Sequence, residues 1–103
     1  MNVYYYKYDK LANEIEKTIL EVKETEKQYK ILNRSFEHSF FMKKDVGIVV
    51  KSYIGYYVFL LDNDNEKAKK LIKNYIFDEA LETQKKANDL FNLIERVRRC
   101  EVE

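Results

Sequence analysis

The sequence predicts an α+β chain: an N-terminal antiparallel β-sheet of four or five strands, then a long C-terminal α-helix that packs on the sheet and mediates oligomerisation. Two observations start this reading. Residues 3–8 and 48–61 are rich in Tyr, Phe, Val and Ile, residues that fit a pleated, half-buried surface. Residues 62–100 contain no Gly and no Pro, and apolar residues recur at helical spacing along them. One domain is expected over residues 1–103, with the sheet in 1–61 and the helix in 62–100.

Val3 to Tyr8 reads as the first strand, with Tyr4, Tyr6 and Tyr8 on one face and Val3 and Tyr5 on the other. Residues 9–13 make a turn. Residues 14–32 admit two readings. Leu11, Ile15, Ile19 and Val22 recur at helical spacing. Equally, residues 18–22 and 28–32 form two strands across a turn at 24–27, because Tyr29 and Ile31 alternate with lysines. Residues 33–41 lack a period and read as a loop entering a short strand. Residues 42–47 are a turn in which Gly47 is free to take positive φ. Ile48-Val49-Val50 and Tyr56–Leu61 are the clearest strands, with Gly55 at the bend between them.

Asn63 or Asp64 caps the final helix, and Glu66 sits favourably in its first turn. Ala68, Leu71, Ile72, Tyr75 and Ile76 form a broad apolar face suited to a sheet. From Ala80 the stripe narrows to Ala80, Thr83, Ala87, Leu90, Ile94 and Val97, alternately three and four apart, the seam of a coiled coil. Residues 62–100 in one helix would span ~50 Å at ~1.5 Å per residue, whereas a domain of this size has a radius of gyration of ~13 Å. Such a helix overhangs its domain, folds back near residues 82–88, or meets another copy. Ala87, Leu90, Ile94 and Val97 are the expected oligomer interface.

Composition limits the function classes. The chain is 46 % hydrophobic and 36 % charged, with net charge +1, so affinity for nucleic acid or membrane would have to come from a local patch. Nine Tyr and six Phe supply rings that bury an apolar body, and the Tyr hydroxyl stays polar. One cysteine, Cys100, excludes an internal disulfide and suits a reducing cytoplasm. No leader pattern begins the chain, and the most apolar run, residues 47–61, is short of the ~20 residues of a membrane helix.

The search for chemistry finds no catalytic constellation, so no enzyme is expected. The single histidine, His38, has no cysteine near it, and no metal site is expected. Residues 62–66, Asp-Asn-Asp-Asn-Glu, echo a calcium loop. The sixth position is Lys67 rather than Gly, and the twelfth is Lys73 rather than Glu. Two glycines are too few for a phosphate loop, and no cofactor is expected. Two basic clusters remain. Arg96-Val97-Arg98-Arg99 ends the helix, where the dipole favours cations. Arg34, His38, Lys43 and Lys44 are interleaved with Phe36, Phe40 and Phe41. Cations beside rings suit a nucleotide, with charge for the phosphate and a flat face for the base. Arg34, Phe36, His38, Lys43, Lys44, Arg96 and Arg99 are therefore the candidate ligand-binding residues.

Several stretches carry a family resemblance: Tyr6-Lys7-Tyr8-Asp9 with residues 11–16, residues 22–27 with Tyr29, Lys43-Lys44-Asp45-Val46-Gly47, and Leu60-Leu61-Asp62 running into the helix. They resemble small proteins of phages and prophages of Gram-positive bacteria, above all the sponge-type Thoeris anti-defence family. The resemblance implies an N-terminal antiparallel sheet, which favours strands in residues 14–32. It also implies C-terminal helices, an oligomer, and sequestration of a cyclic ADP-ribose isomer in the host cytoplasm without chemical change. Anti-CRISPR-like inhibitors that bind a host defence protein share this size and origin and form the alternative, as does an uncharacterised phage accessory or structural protein.

Overall fold

The computed structural model describes residues 1–101 and shows an α+β chain. Six strands form one antiparallel sheet: β1 (Asn2–Asp9), β2 (Glu14–Glu24), β3 (Gln28–Ile31), β4 (Phe40–Met42), β5 (Val50–Lys51) and β6 (Gly55–Leu60). Their order across the sheet is β4-β3-β2-β1-β6-β5. One helix, α1 (Asn65–Arg99), follows. Two compact units result, Met1–Lys73 and Asn74–Glu103, each taken by itself below.

The sheet has six strands rather than four or five. The added pieces are short edges: β4 has three residues and β5 only two. Of the expected strand at 48–50, only Val50 pairs in a ladder. The preceding residues turn instead, with the Ile48 amide donating to the Asp45 carbonyl at 3.1 Å and the Gly47 amide to Phe59 at 2.9 Å. Lys43–Asp45 form a single 3-10 turn, and Gly47 has φ +79°.

Residues 14–24 are a strand despite their helical period. Isolated helical spacing loses here to ladder bonding, because β2 pairs with β1 along all eight residues of β1, from Asn2 opposite Glu21 to Asp9 opposite Glu14. The hairpin turn explains the register. The Asp9 carboxylate accepts from the Leu11 amide at 2.8 Å, and Asn13 takes φ +54°, a conformation Asn tolerates better than most residues.

Alternation gives the sheet two faces. Val3, Tyr5, Leu20, Val22, Tyr29, Phe41 and Phe59 form a buried cluster on one, with Phe36, Val46 and Tyr57 packed against it. Burying each large side chain contributes roughly 1.5–3 kcal/mol. On the other face lie Tyr6 and Val58, opposite each other in the ladder, with Leu60. Ala68 and Ile72 are the buried residues of α1. The Tyr6 hydroxyl donates to Asn65 Oδ1 at 2.8 Å, and Lys17 Nζ donates to Asn63 Oδ1 at 2.8 Å, tying the helix start to this second face. Asp64 is the cap, its carboxylate accepting from the Lys67 amide at 3.0 Å.

Candidate functional site

The first sheet face carries more aromatic rings than its core needs. The β1–β6 register sets Tyr5 opposite Phe59 and Lys7 opposite Tyr57. The chain between β3 and β4 then lays Phe36 and His38 over them. Phe36 meets Tyr5 edge-on at 4.8 Å, and His38 lies 5.3 Å from Tyr57, 5.7 Å from Phe36 and 6.0 Å from Phe59 between ring centroids. Such pairs prefer tilted and edge-to-face arrangements, as here.

Two hollows share His38 and Tyr57. One, about 180 Å³, is walled by Phe40, Met42, Ile48, Val50 and Phe59, with Asp45 as its only acid. The other, about 220 Å³, is polar: Tyr5, Lys7, Glu37, Lys51 and Ser52 line it. Glu37 organises it. Its carboxylate accepts from the Tyr5 hydroxyl at 2.9 Å and sits 3.6 Å from Lys7 Nζ. The Ser52 hydroxyl is buried on this wall, and no hydrogen-bond partner meets it. An unpaired buried hydroxyl costs on the order of 1–3 kcal/mol.

The tyrosines register this environment. Burial first, then the Glu37 hydrogen bond and charge, push the Tyr5 hydroxyl far above its ordinary range. Burial, then Glu37 and Asp45, raise Tyr57. Both remain neutral donors at physiological pH. Among the described residues, no group of three or more His, Cys, Asp or Glu side chains converges to hold a metal.

Of the sequence-predicted residues, the structure brings Phe36 and His38 together, but only His38 lines these hollows, and Phe36 packs behind it on Tyr5 and the buried cluster. Lys43 is engaged elsewhere, paired with Glu24 at 3.4 Å and lying 5.5 Å from the centre of the Tyr29 ring. Arg34 and Lys44 are exposed and line neither hollow. Arg96 and Arg99 belong to the second unit, where Arg96 lines a shallow hollow with Asp89, Asn92 and Leu93. Tyr5, Lys7, Glu37, Asp45 and Tyr57 escaped the sequence reading. The signal that could have found Tyr5, Lys7 and Tyr57 is the pairing register, which sets β1 residues against β6; Glu37 and Asp45 lie outside those strands and carried no such signal.

Comparison with protein-family models, with curated proteins and with solved structures finds no match. Among the described residues, no helix is long and apolar enough to cross a membrane.

Proposed function

We propose that this chain is a non-catalytic binding protein that sequesters a cyclic nucleotide signal of the cyclic ADP-ribose isomer type, in the manner of a phage anti-defence protein. One observation carries the reading: two hollows of opposite character share the His38 and Tyr57 rings. Each is smaller than the ~300–1,000 Å³ typical of a drug-sized site, so a nucleotide would occupy both. The aromatic hollow suits a base, and Asp45 there offers an acceptor to an exocyclic amine while repelling phosphate. The polar hollow suits phosphate and ribose, with two lysines against one glutamate and the Ser52 hydroxyl as a donor, while the Tyr5 hydroxyl keeps its proton on Glu37 and holds that carboxylate in place.

Isothermal titration with cyclic ADP-ribose isomers and small cyclic oligonucleotides tests the proposal. The expected result is one ligand binding tightly and returning chemically intact when the protein is heat-denatured. His38→Ala should weaken that binding by about 5- to 150-fold, matching the ~1–3 kcal/mol of one base stacked on a ring. No heat with any of these ligands, combined with tight binding to a host defence protein, would overturn the proposal in favour of direct inhibition.

A further inference from the structure

The second unit carries apolar side chains that nothing within it covers. Leu90, Ile94 and Val97 are 61 %, 59 % and 71 % exposed, and Ala80, Thr83 and Ala87 on the same stripe are exposed as well. Thr83 turns its hydroxyl back onto the Glu79 carbonyl at 3.0 Å. That satisfies its polar atom and leaves the rest of the side chain for packing. A solvated helix has no use for such a stripe, and exposed contiguous apolar surface marks an interaction site.

We propose that this stripe pairs with the same stripe of a second copy, antiparallel, about a two-fold axis between residues 88 and 89. The order of side-chain sizes singles out that register. The N-terminal half of the stripe is small (Ala80, Thr83, Ala87) and the C-terminal half is large (Leu90, Ile94, Val97). Antiparallel pairing about this centre gives three layers, repeated by symmetry: Ala80 with Val97, Thr83 with Ile94, and Ala87 with Leu90. Every layer sets one small residue against one large, so each fills to similar width, as facing positions in a packed core do. Parallel pairing in register sets small on small through one half and large on large through the other, leaving gaps and then crowding.

A two-fold contact of this kind is closed, so it ends at a dimer.

Disulfide trapping distinguishes the orientations. In the full chain with Cys100→Ser, a single cysteine is placed by Ala80→Cys in one variant and by Val97→Cys in another. In the antiparallel dimer, residue 80 stands about 25 Å along the axis from its own copy, at ~1.5 Å per residue. Each variant alone should therefore stay uncrosslinked on mild oxidation, and a refolded equimolar mixture should yield covalent dimer. Light scattering of the wild type at tens of micromolar should give the dimer mass. Leu90→Asp should give the monomer mass with the far-ultraviolet circular dichroism of a folded chain. Crosslinking of each variant to itself, no crosslinking in the mixture, a monomeric wild type, or a Leu90→Asp chain that stays dimeric would each overturn the proposal.

Discussion

The unit Met1–Lys73 and the helix beyond it draw on the same kinds of apolar residue and use them in opposite ways. In the first unit, Val3, Leu20, Val58 and Leu60 are almost wholly removed from water. In the second, Leu81, Leu90, Phe91 and Leu93 stand about half exposed or more. A curled sheet can close over its own side chains. One helix can only line them up, and most helical stability in proteins comes from packing such a face against something else. The contrast separates residues that specify the fold from residues held ready for a partner, and the same substitution should therefore mean different things in the two units.

The largest expected effect breaks the comparison most directly. Phe59 lies on β6, an interior strand between β1 and β5, and stacks on Phe41 at 4.1 Å between ring centroids. Phe59→Ala should cost about 3–5 kcal/mol of stability, as large core truncations do, whatever the protein concentration. Leu90→Ala should cost little in dilute solution, within about 0.5 kcal/mol. At concentrations where the proposed dimer forms, its cost should grow by mass action. Chemical denaturation of both variants across a hundredfold range of protein concentration makes the comparison. A Leu90→Ala effect that is large and independent of concentration would show that this side chain belongs to the monomer's own core.

Next comes Gly55, buried at the start of β6 opposite Asp9. A Cβ there would land on the Tyr8 carbonyl, which is backbone and has little room to move. Gly55→Ala should cost about 1–3 kcal/mol, the usual range for overpacking. Thermal unfolding measures it, and the contrast is Gly47→Ala. Gly47 has open space around it, so any cost there comes from its positive φ alone.

Alkali should also act on the sheet unit first. Tyr5, Tyr6 and Tyr57 all have raised proton affinities, burial being the main cause in each. A raised tyrosine holds its proton in the folded chain above the pH at which the unfolded chain loses it. Stability is therefore unaffected below pH ~10 and falls as pH rises beyond that value. Tyr5→Phe should flatten this fall, because it removes the most strongly shifted hydroxyl. A stability curve from pH 8 to 12 that is equally steep in the variant would sink the assignment.

Much of this architecture could be read from residue pattern, and the reasons differ by element. Helix α1 was legible because Asp64 caps it and neither Gly nor Pro interrupts it. Strand β1 was legible because Val3 to Tyr8 is a short run rich in aromatic side chains, which favour a pleated surface. Residues 14–24 were ambiguous, since Ile15, Ile19 and Val22 fit a helix stripe as well as a strand. The ladder to β1 decided the matter, and a ladder is a long-range fact that local spacing does not contain. The candidate site was the least legible part. Phe36 and His38 were visible as an aromatic cluster, but Tyr5, Lys7 and Tyr57 reach them only through the β1–β6 pairing, which joins residues about fifty positions apart. Lys43 was misleading for a related reason: its partners Glu24 and Tyr29 come from another hairpin.

The smallest effects compare the two ends of α1. At the first, the Asp64 carboxylate takes the Lys67 amide and the Asp64 carbonyl takes the Ala68 amide at 3.1 Å. Asp64→Ala removes only the carboxylate bond and should cost about 1 kcal/mol, the usual price of a lost cap. At the other end, the Cys100 thiol donates to the Arg96 carbonyl at 3.2 Å. A thiol is a weak donor, and this one is exposed, so Cys100→Ser should change stability by less than about 0.5 kcal/mol. Neither change touches the Ala80–Val97 stripe, so both should leave the dimer affinity as it is in wild type. Sedimentation equilibrium of the two variants checks this. A weakened dimer in Asp64→Ala would mean that the helix start and the stripe are energetically coupled, and that the two units differ less in independence than their burial implies.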